Sequence, residues 1–145
     1  MRVWLKVDCG YHRCGVDPEG ALGLHAAARV ARSGNLELAG ILTPAGHAYH
    51  CQGREEITAV AREERDVMLT LADRLRRSGI AVPEVSVGST PTMSVVDHLT
   101  GITEIRPFRG GADRSVDAEF VCGASHPRVE ARRRVSLRLM QNPAL

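Results

Sequence analysis

Three times in its first 92 residues the chain runs from a short apolar, strand-like segment into a polar stretch that contains glycine. Val3–Val7 leads into 9–15, Leu36–Thr43 into 44–53, and Val82–Val87 into 88–92. Helical patterns separate these strands, and a short helix precedes a fourth strand, Ile102–Ile105. Strand and helix in strict alternation predict parallel βα units, because parallel strands need a crossover that a helix supplies. In such folds the loops at the C-terminal ends of the strands build the site.

The helical segments carry their own punctuation. Asp17-Pro18-Glu19 offers an N-cap, a proline at the first helical position and an acid in the first turn. Ala21, Leu24, Ala28 and Ala31 follow at helical spacing, with His25 near that stripe, and Gly34-Asn35 closes the segment. Residues 54–78 give the clearest amphipathic helix. Ile57, Val60, Ala61, Val67, Met68, Leu71 and Leu75 form its apolar stripe, Glu and Arg cover the other face, and Gly79 stands at the C-cap. Asp73 precedes Arg77 by four residues, the favourable order for an ion pair.

The charge pattern narrows the partners. Nineteen basic residues stand against 17 acidic ones, a formal charge of +2, which predicts no nucleic-acid or membrane partner. Residues 1–106 hold 12 basic and 13 acidic groups, whereas 107–145 hold 7 and 4 and show no clean periodicity. That second segment, with Arg132, Arg133 and Arg134, reads as an irregular basic tail without the aromatic interleaving or amphipathic pattern that would support a nucleic-acid arm. No apolar run reaches the ~18–20 residues that span a bilayer, and no export signal is visible. The four cysteines, Cys9, Cys14, Cys51 and Cys122, show no CxxC pair. Reduced thiols in a cytoplasmic protein are therefore expected.

The first loop concentrates the chemistry. Alternation puts Val3, Leu5 and Val7 on one strand face and Trp4, Lys6 and Asp8 on the other. Lys6 is the only lysine in the sequence. A lysine and an aspartate on an inner face need partners, either each other in a packing salt bridge or a functional site that includes Arg13. Lys6-Val7-Asp8-Cys9-Gly10-Tyr11-His12-Arg13-Cys14-Gly15 resembles the K-x-D-x-G-x-x-R-x-G segment of alanine-racemase-type, fold-type III pyridoxal phosphate enzymes. Its tyrosine-histidine form is most similar to the D-threonine aldolase and D-serine dehydratase-like branch. Gly46-His47-Ala48-Tyr49, Val87-Gly88-Ser89-Thr90-Pro91-Thr92 and Thr103-Glu104-Ile105-Arg106-Pro107 match further segments in order and spacing.

The resemblance implies a partial (β/α)8 TIM-type barrel, about half of one, over residues 1–107, with 108–145 as an atypical tail. It implies pyridoxal 5'-phosphate as cofactor. Arg13 would stand beside the cofactor's phenolic oxygen, Tyr49 would line the pocket, Gly88, Ser89 and Thr90 would hold the phosphate, and Arg106 would face the ring nitrogen. His12 and His47 fall in the matching loops as pocket residues, whereas His25 and His98 read as structural and His126 has no assignment. Pro44 stands where the family commonly has a histidine by the ring. Lys6 does not match the family's Schiff-base lysine, which falls outside the matched segment, as do the ligands of the divalent metal used by this branch. His47, His50 and Cys51 read as an incidental cluster rather than a metal site.

The implied activity is that of a lyase on a small D-3-hydroxy amino acid, D-threonine aldolase-like, giving glycine and acetaldehyde. A D-serine dehydratase-like or racemase-like protein, or a truncated chain without activity, stays open beside it. Half a barrel leaves parallel edges uncovered, so self-association is also expected.

Overall fold

The computed structural model describes residues 1–106, and the basic tail lies outside them. Four strands form one parallel sheet in the order β1-β2-β3-β4: β1 (Arg2–Lys6), β2 (Glu37–Leu42), β3 (Glu84–Val87) and β4 (Glu104–Ile105). Helix α1 (Ala21–Ala31) connects β1 to β2, α2 (Arg54–Arg77) connects β2 to β3, and α3 (Thr90–Val95) connects β3 to β4. The expected α/β fold is present, with the barrel unclosed and β1 and β4 as outer strands among the described residues.

The core lies between the sheet and the helices, where Val7, Ile41, Val85 and Val87 pack with Met68, Leu71, Ala72 and Leu75. Helix α2 follows the macrodipole rule, with Glu55 and Glu56 in its first turn and Arg74, Arg76 and Arg77 in its last. Its end is a Schellman closure. Gly79 takes φ 78°, its N–H donates to the Arg76 carbonyl, and the Ile80 N–H donates to the Leu75 carbonyl. Arginines on the outer face tie α2 to its surroundings. Arg62 bonds Asp97 at 2.6 Å, Arg65 reaches the Thr100 carbonyl, and Arg74 reaches the Pro18 and Glu19 carbonyls. The Arg62 guanidinium and the His98 ring hold the Asp97 carboxyl down at about 2.

Several local expectations shift. Helix α1 starts three residues later than the Asp17-Pro18 signal, with Gly20 as N-cap. Asp17 Oδ1 instead accepts from the Glu19 amide, a turn that competes with helix entry. The buried face of α1 centres on Gly23 and Ala27, flanked by half-buried Leu24 and Ala28, while Ala21, Ala31 and His25 are exposed. Strand β3 begins at Glu84 rather than Val82, after Pro83, which has no N–H to give to a ladder. The Asp73 carboxylate pairs with Arg76 at 3.3 Å, and Arg77 donates to the Asp73 backbone carbonyl instead. No helix among the described residues is long and apolar enough to cross a membrane.

Candidate functional site

Because all four strands are parallel, the segments that follow them emerge at one edge of the sheet. The loop after β1 is folded back on its own strand. Asp8 N–H donates to the Val16 carbonyl and Val16 N–H to the Lys6 carbonyl, and a Cβ on Gly15 would stand 2.6 Å from Asp8 N. Asp8 Oδ1 accepts from the Gly10 and His12 amides at 3.0 and 2.9 Å, and His12 takes the left-handed φ of 54°. Burial pushes the Asp8 carboxyl up, but these amides and the nearby His12 ring outweigh it and hold it below the usual carboxylate range. Asp8 is therefore spent on the loop and does not pair with Lys6. Lys6 Nζ donates instead to Cys14 Sγ at 2.9 Å.

In this loop Arg13 lays its guanidinium over the Tyr11 ring, 4.8 Å from the centroid. Tyr11 also fills the space above Gly46, where a Cβ would come within 2.8 Å of the ring. The segment after β2 is Pro44-Ala45 followed by a 3-10 turn, Gly46–His50. The segment after β3 turns at Gly88, φ 126°, into a capping box in which Ser89 caps α3 and Thr92 answers it. After β4, Arg106 spans two neighbouring strands. Its Nε donates to Ser86 Oγ at 2.7 Å and its Nη2 to the Thr43 carbonyl at 2.8 Å.

These segments border an open cleft of about 400 Å³, lined by Tyr11, Arg13, Pro44, Gly46, Tyr49, His50, Gly88, Ser89 and Arg106. That size is ordinary for a small-molecule site. Two guanidiniums, aromatic rings and a small-residue turn make it suited to a flat anion such as pyridoxal phosphate. Gly88 contributes room rather than a free donor. Its N–H is given to Glu64 Oε1 at 2.9 Å, and a Cβ there would meet the Arg106 amide nitrogen at 3.1 Å. An anion at this turn would draw on the Ser89 hydroxyl and the arginines.

Of the residues expected at the site, Arg13, Tyr49, Gly88, Ser89 and Arg106 line the pocket. Thr90 begins α3 and is not part of the lining. His47 is also outside it. Its ring lies against Gly10, and its Nδ1 is buried without a hydrogen-bond partner. The His12 side chain is 85% exposed, and Lys6 does not reach the pocket. No three His, Cys, Asp or Glu side chains come together to hold a metal ion among the described residues. Sequence reasoning set His50 aside in an incidental cluster, gave Tyr11 no role in the pocket and missed Glu64 altogether. Glu64 is 1% exposed, and its Oε1 accepts from both the Ala45 and Gly88 amides. Burial pushes its carboxyl up, against the pull of those amides, Thr92 and Arg106. A signal was present: Ala61, Glu64, Met68, Leu71 and Leu75 follow one another at steps of three or four, so Glu64 stands in the apolar stripe itself.

The sequence profile described as the alanine racemase N-terminal domain matches residues 1–107. The chain belongs to this family. It is 39% identical over 106 residues to the D-threo-3-hydroxyaspartate dehydratase of Delftia sp. (strain HT23), covering 73% of this chain and 28% of that one. It is 35% identical over 112 residues to the D-serine dehydratase of Dictyostelium discoideum, covering 72% and 28%. The solved structure of the Delftia dehydratase superposes with a TM-score of 0.68, over 73% of this chain and 28% of that chain. The D-threonine aldolase of Filomicrobium marinum superposes at 0.65 with 28% identity, over 73% and 28%. The chain thus spans a little over a quarter of the relatives it matches. The fold is the alanine racemase N-terminal, TIM-barrel-like domain in part.

The two site cysteines should differ sharply in reactivity. Cys14 is exposed, and the Lys6 ammonium and nearby Arg13 hold its thiol below the usual range. Cys9 is buried beside Thr43, and burial pushes its thiol up to about 11. Since the thiolate is the nucleophile, limiting iodoacetamide near neutral pH should alkylate Cys14 at least about tenfold faster than Cys9. Peptide mapping checks this, and equal rates in the folded chain would contradict it.

Proposed function

We propose that this chain carries the cofactor-facing loops of a pyridoxal-phosphate-dependent lyase acting on a small D-3-hydroxy amino acid. The observation that supports it best is the convergence of Arg13, Tyr49, Ser89 and Arg106, from behind four successive parallel strands, on one pocket. Pyridoxal phosphate, when bound, supplies an electron sink for bonds at the amino acid's α-carbon. The chain's own residues would bind and orient it: Arg13 at the phenolic oxygen, Arg106 at the ring nitrogen, and Ser89 at the phosphate, with Gly88 leaving room for it. A guanidinium at an oxyanion stabilises its charge, and the Tyr11 ring stacks against Arg13 at 4.8 Å.

Both D-threonine cleavage and dehydration of a D-3-hydroxy amino acid fit this reading. The identities of 39% and 35% to two dehydratases and of 34% to an Arthrobacter D-threonine aldolase support both. The outer strands β1 and β4, unpaired on their far sides among the described residues, further support association of the chain with itself or with a complementary barrel segment.

Equilibrium binding of pyridoxal phosphate, then assays with D-threonine, D-serine and D-threo-3-hydroxyaspartate, tests the reading. Saturable binding is expected, and no binding would sink it. Catalysis by the 145-residue chain alone is not expected. Its single lysine side chain donates to Cys14 and stays outside the pocket. Borohydride reduction with pyridoxal phosphate should accordingly leave Lys6 unmodified in peptide mass maps. A phosphopyridoxyl adduct on Lys6 together with turnover would reverse this.

A further inference from the structure

Glu64 lies behind the pocket, on α2, and touches the loops rather than the cavity. A charged or polar carboxyl buried among Ala61, Met68 and Leu71 costs stability unless its hydrogen bonds compensate. Here one oxygen does two things at once. Oε1 accepts from Ala45 N–H at 3.1 Å and from Gly88 N–H at 2.9 Å, amides of two different loops. The first loop gives the pocket Gly46 and Tyr49, and the second gives it Gly88 and Ser89. The β2–β3 ladder ends at Leu42 and Ser86, with one more bond from Thr43 N–H to the Ser86 carbonyl, so beyond that point the loops need another tie. Oε2 is buried with no hydrogen-bond partner, so the two loop amides are joined through Oε1.

We propose that Glu64 is a positioning residue: it registers the β2 and β3 loops to each other so that the pocket walls keep the spacing an anionic, phosphate-bearing ligand requires. This rests on the pocket being the cofactor site proposed above. What matters in this role is the reach of an acceptor oxygen, and the charge is secondary. Leucine at this position would pack well and leave two loop amides without an acceptor.

Two substitutions separate reach from charge in the full chain. Glu64→Gln keeps an acceptor at the same distance and removes the charge. Glu64→Asp keeps the charge and withdraws the acceptor by about 1.5 Å, one C–C bond. Amide hydrogen exchange, read by NMR without ligand, reports the tie directly at Ala45 and Gly88, with Leu71 in α2 as the internal reference. Dissociation constants for inorganic phosphate and for pyridoxal phosphate report its consequence. Glu64→Gln should keep both readouts within about twofold of the parent. Glu64→Asp should lose about tenfold in protection at Ala45 and Gly88 and bind both probes at least about fivefold more weakly, with Leu71 unchanged. An aspartate variant that behaves like the parent would overturn the proposal, as would a glutamine variant that loses as much as the aspartate one. Loss of protection spread equally to Leu71 would also overturn it, since that is general destabilisation. If the parent chain binds neither probe, the cofactor reading fails, and the exchange comparison still decides the role of Glu64.

Discussion

Replacing Gly40 by alanine should cost about 3 kcal/mol or more and bring the chain close to unfolding under ordinary conditions. Gly40 pairs with Trp4 on one side and Glu84 on the other, at the point where the β1–β2 register shifts between Val3 and Trp4. A Cβ at Gly40 would stand 2.1 Å from the Glu84 carbonyl oxygen and 2.7 Å from its carbon, with Trp4 Cζ3 at 2.9 Å. The Trp4 ring can turn away. The Glu84 backbone cannot, because moving it separates β2 from β3 along the strands that carry the core. Small-to-large changes in packed interiors usually cost 1–3 kcal/mol, and a clash against backbone belongs at the upper end or beyond. Gly34→Ala is the control, since nothing lies within 4 Å of its added methyl, and it should stay within about 0.5 kcal/mol of the parent. Urea unfolding followed by circular dichroism measures both. A Gly40→Ala midpoint equal to that of Gly34→Ala would show that the sheet is not packed as described.

Arg106→Ala should weaken pyridoxal phosphate binding at least about tenfold and also destabilise the chain by about 1–3 kcal/mol. The two effects have one origin. Half-buried Arg106 forks between Ser86 Oγ and the Thr43 carbonyl, so its removal takes a donor from two fully buried residues as well as a cation from the pocket. Arg106→Lys keeps a charge but cannot hold both acceptors in one plane, and should fall between alanine and the parent in both measurements. Calorimetric titration and urea unfolding read the two losses separately. Unchanged affinity in the alanine variant would remove Arg106 from the binding site.

The order of elements was legible in the sequence because hydrophobic period and turn chemistry agree there. The stripe of α2 and the closure at Gly79 come from side-chain spacing and a positive φ, both local properties. Boundaries set by competition were less legible. Asp17 offered a helix cap and took an Asx turn, and Pro83, an interruption near the start of Val82–Val87, sets the strand's start at Glu84. Arg13 and Arg106 were singled out through the resemblance of their strand-following segments to the family's, and both line the pocket. Glu64 was not read, since its partners are backbone amides 19 and 24 residues away, and an acidic residue on an amphipathic helix looks by default like part of the wet face. The Lys6–Asp8 relation misled for a related reason: alternation puts both on one face, yet each finds a nearer partner in the loop that folds back above them.

The central claim is that the loops behind β1, β2, β3 and β4 form one anion-binding site. An amide NMR titration of the full chain with pyridoxal phosphate tests it most directly. The expected result is saturable shifts confined to residues 10–15, 46–50 and 88–90 together with Arg106, reversed by excess inorganic phosphate. Shifts that map elsewhere, or none at concentrations where a phosphate site of this kind would fill, would contradict it.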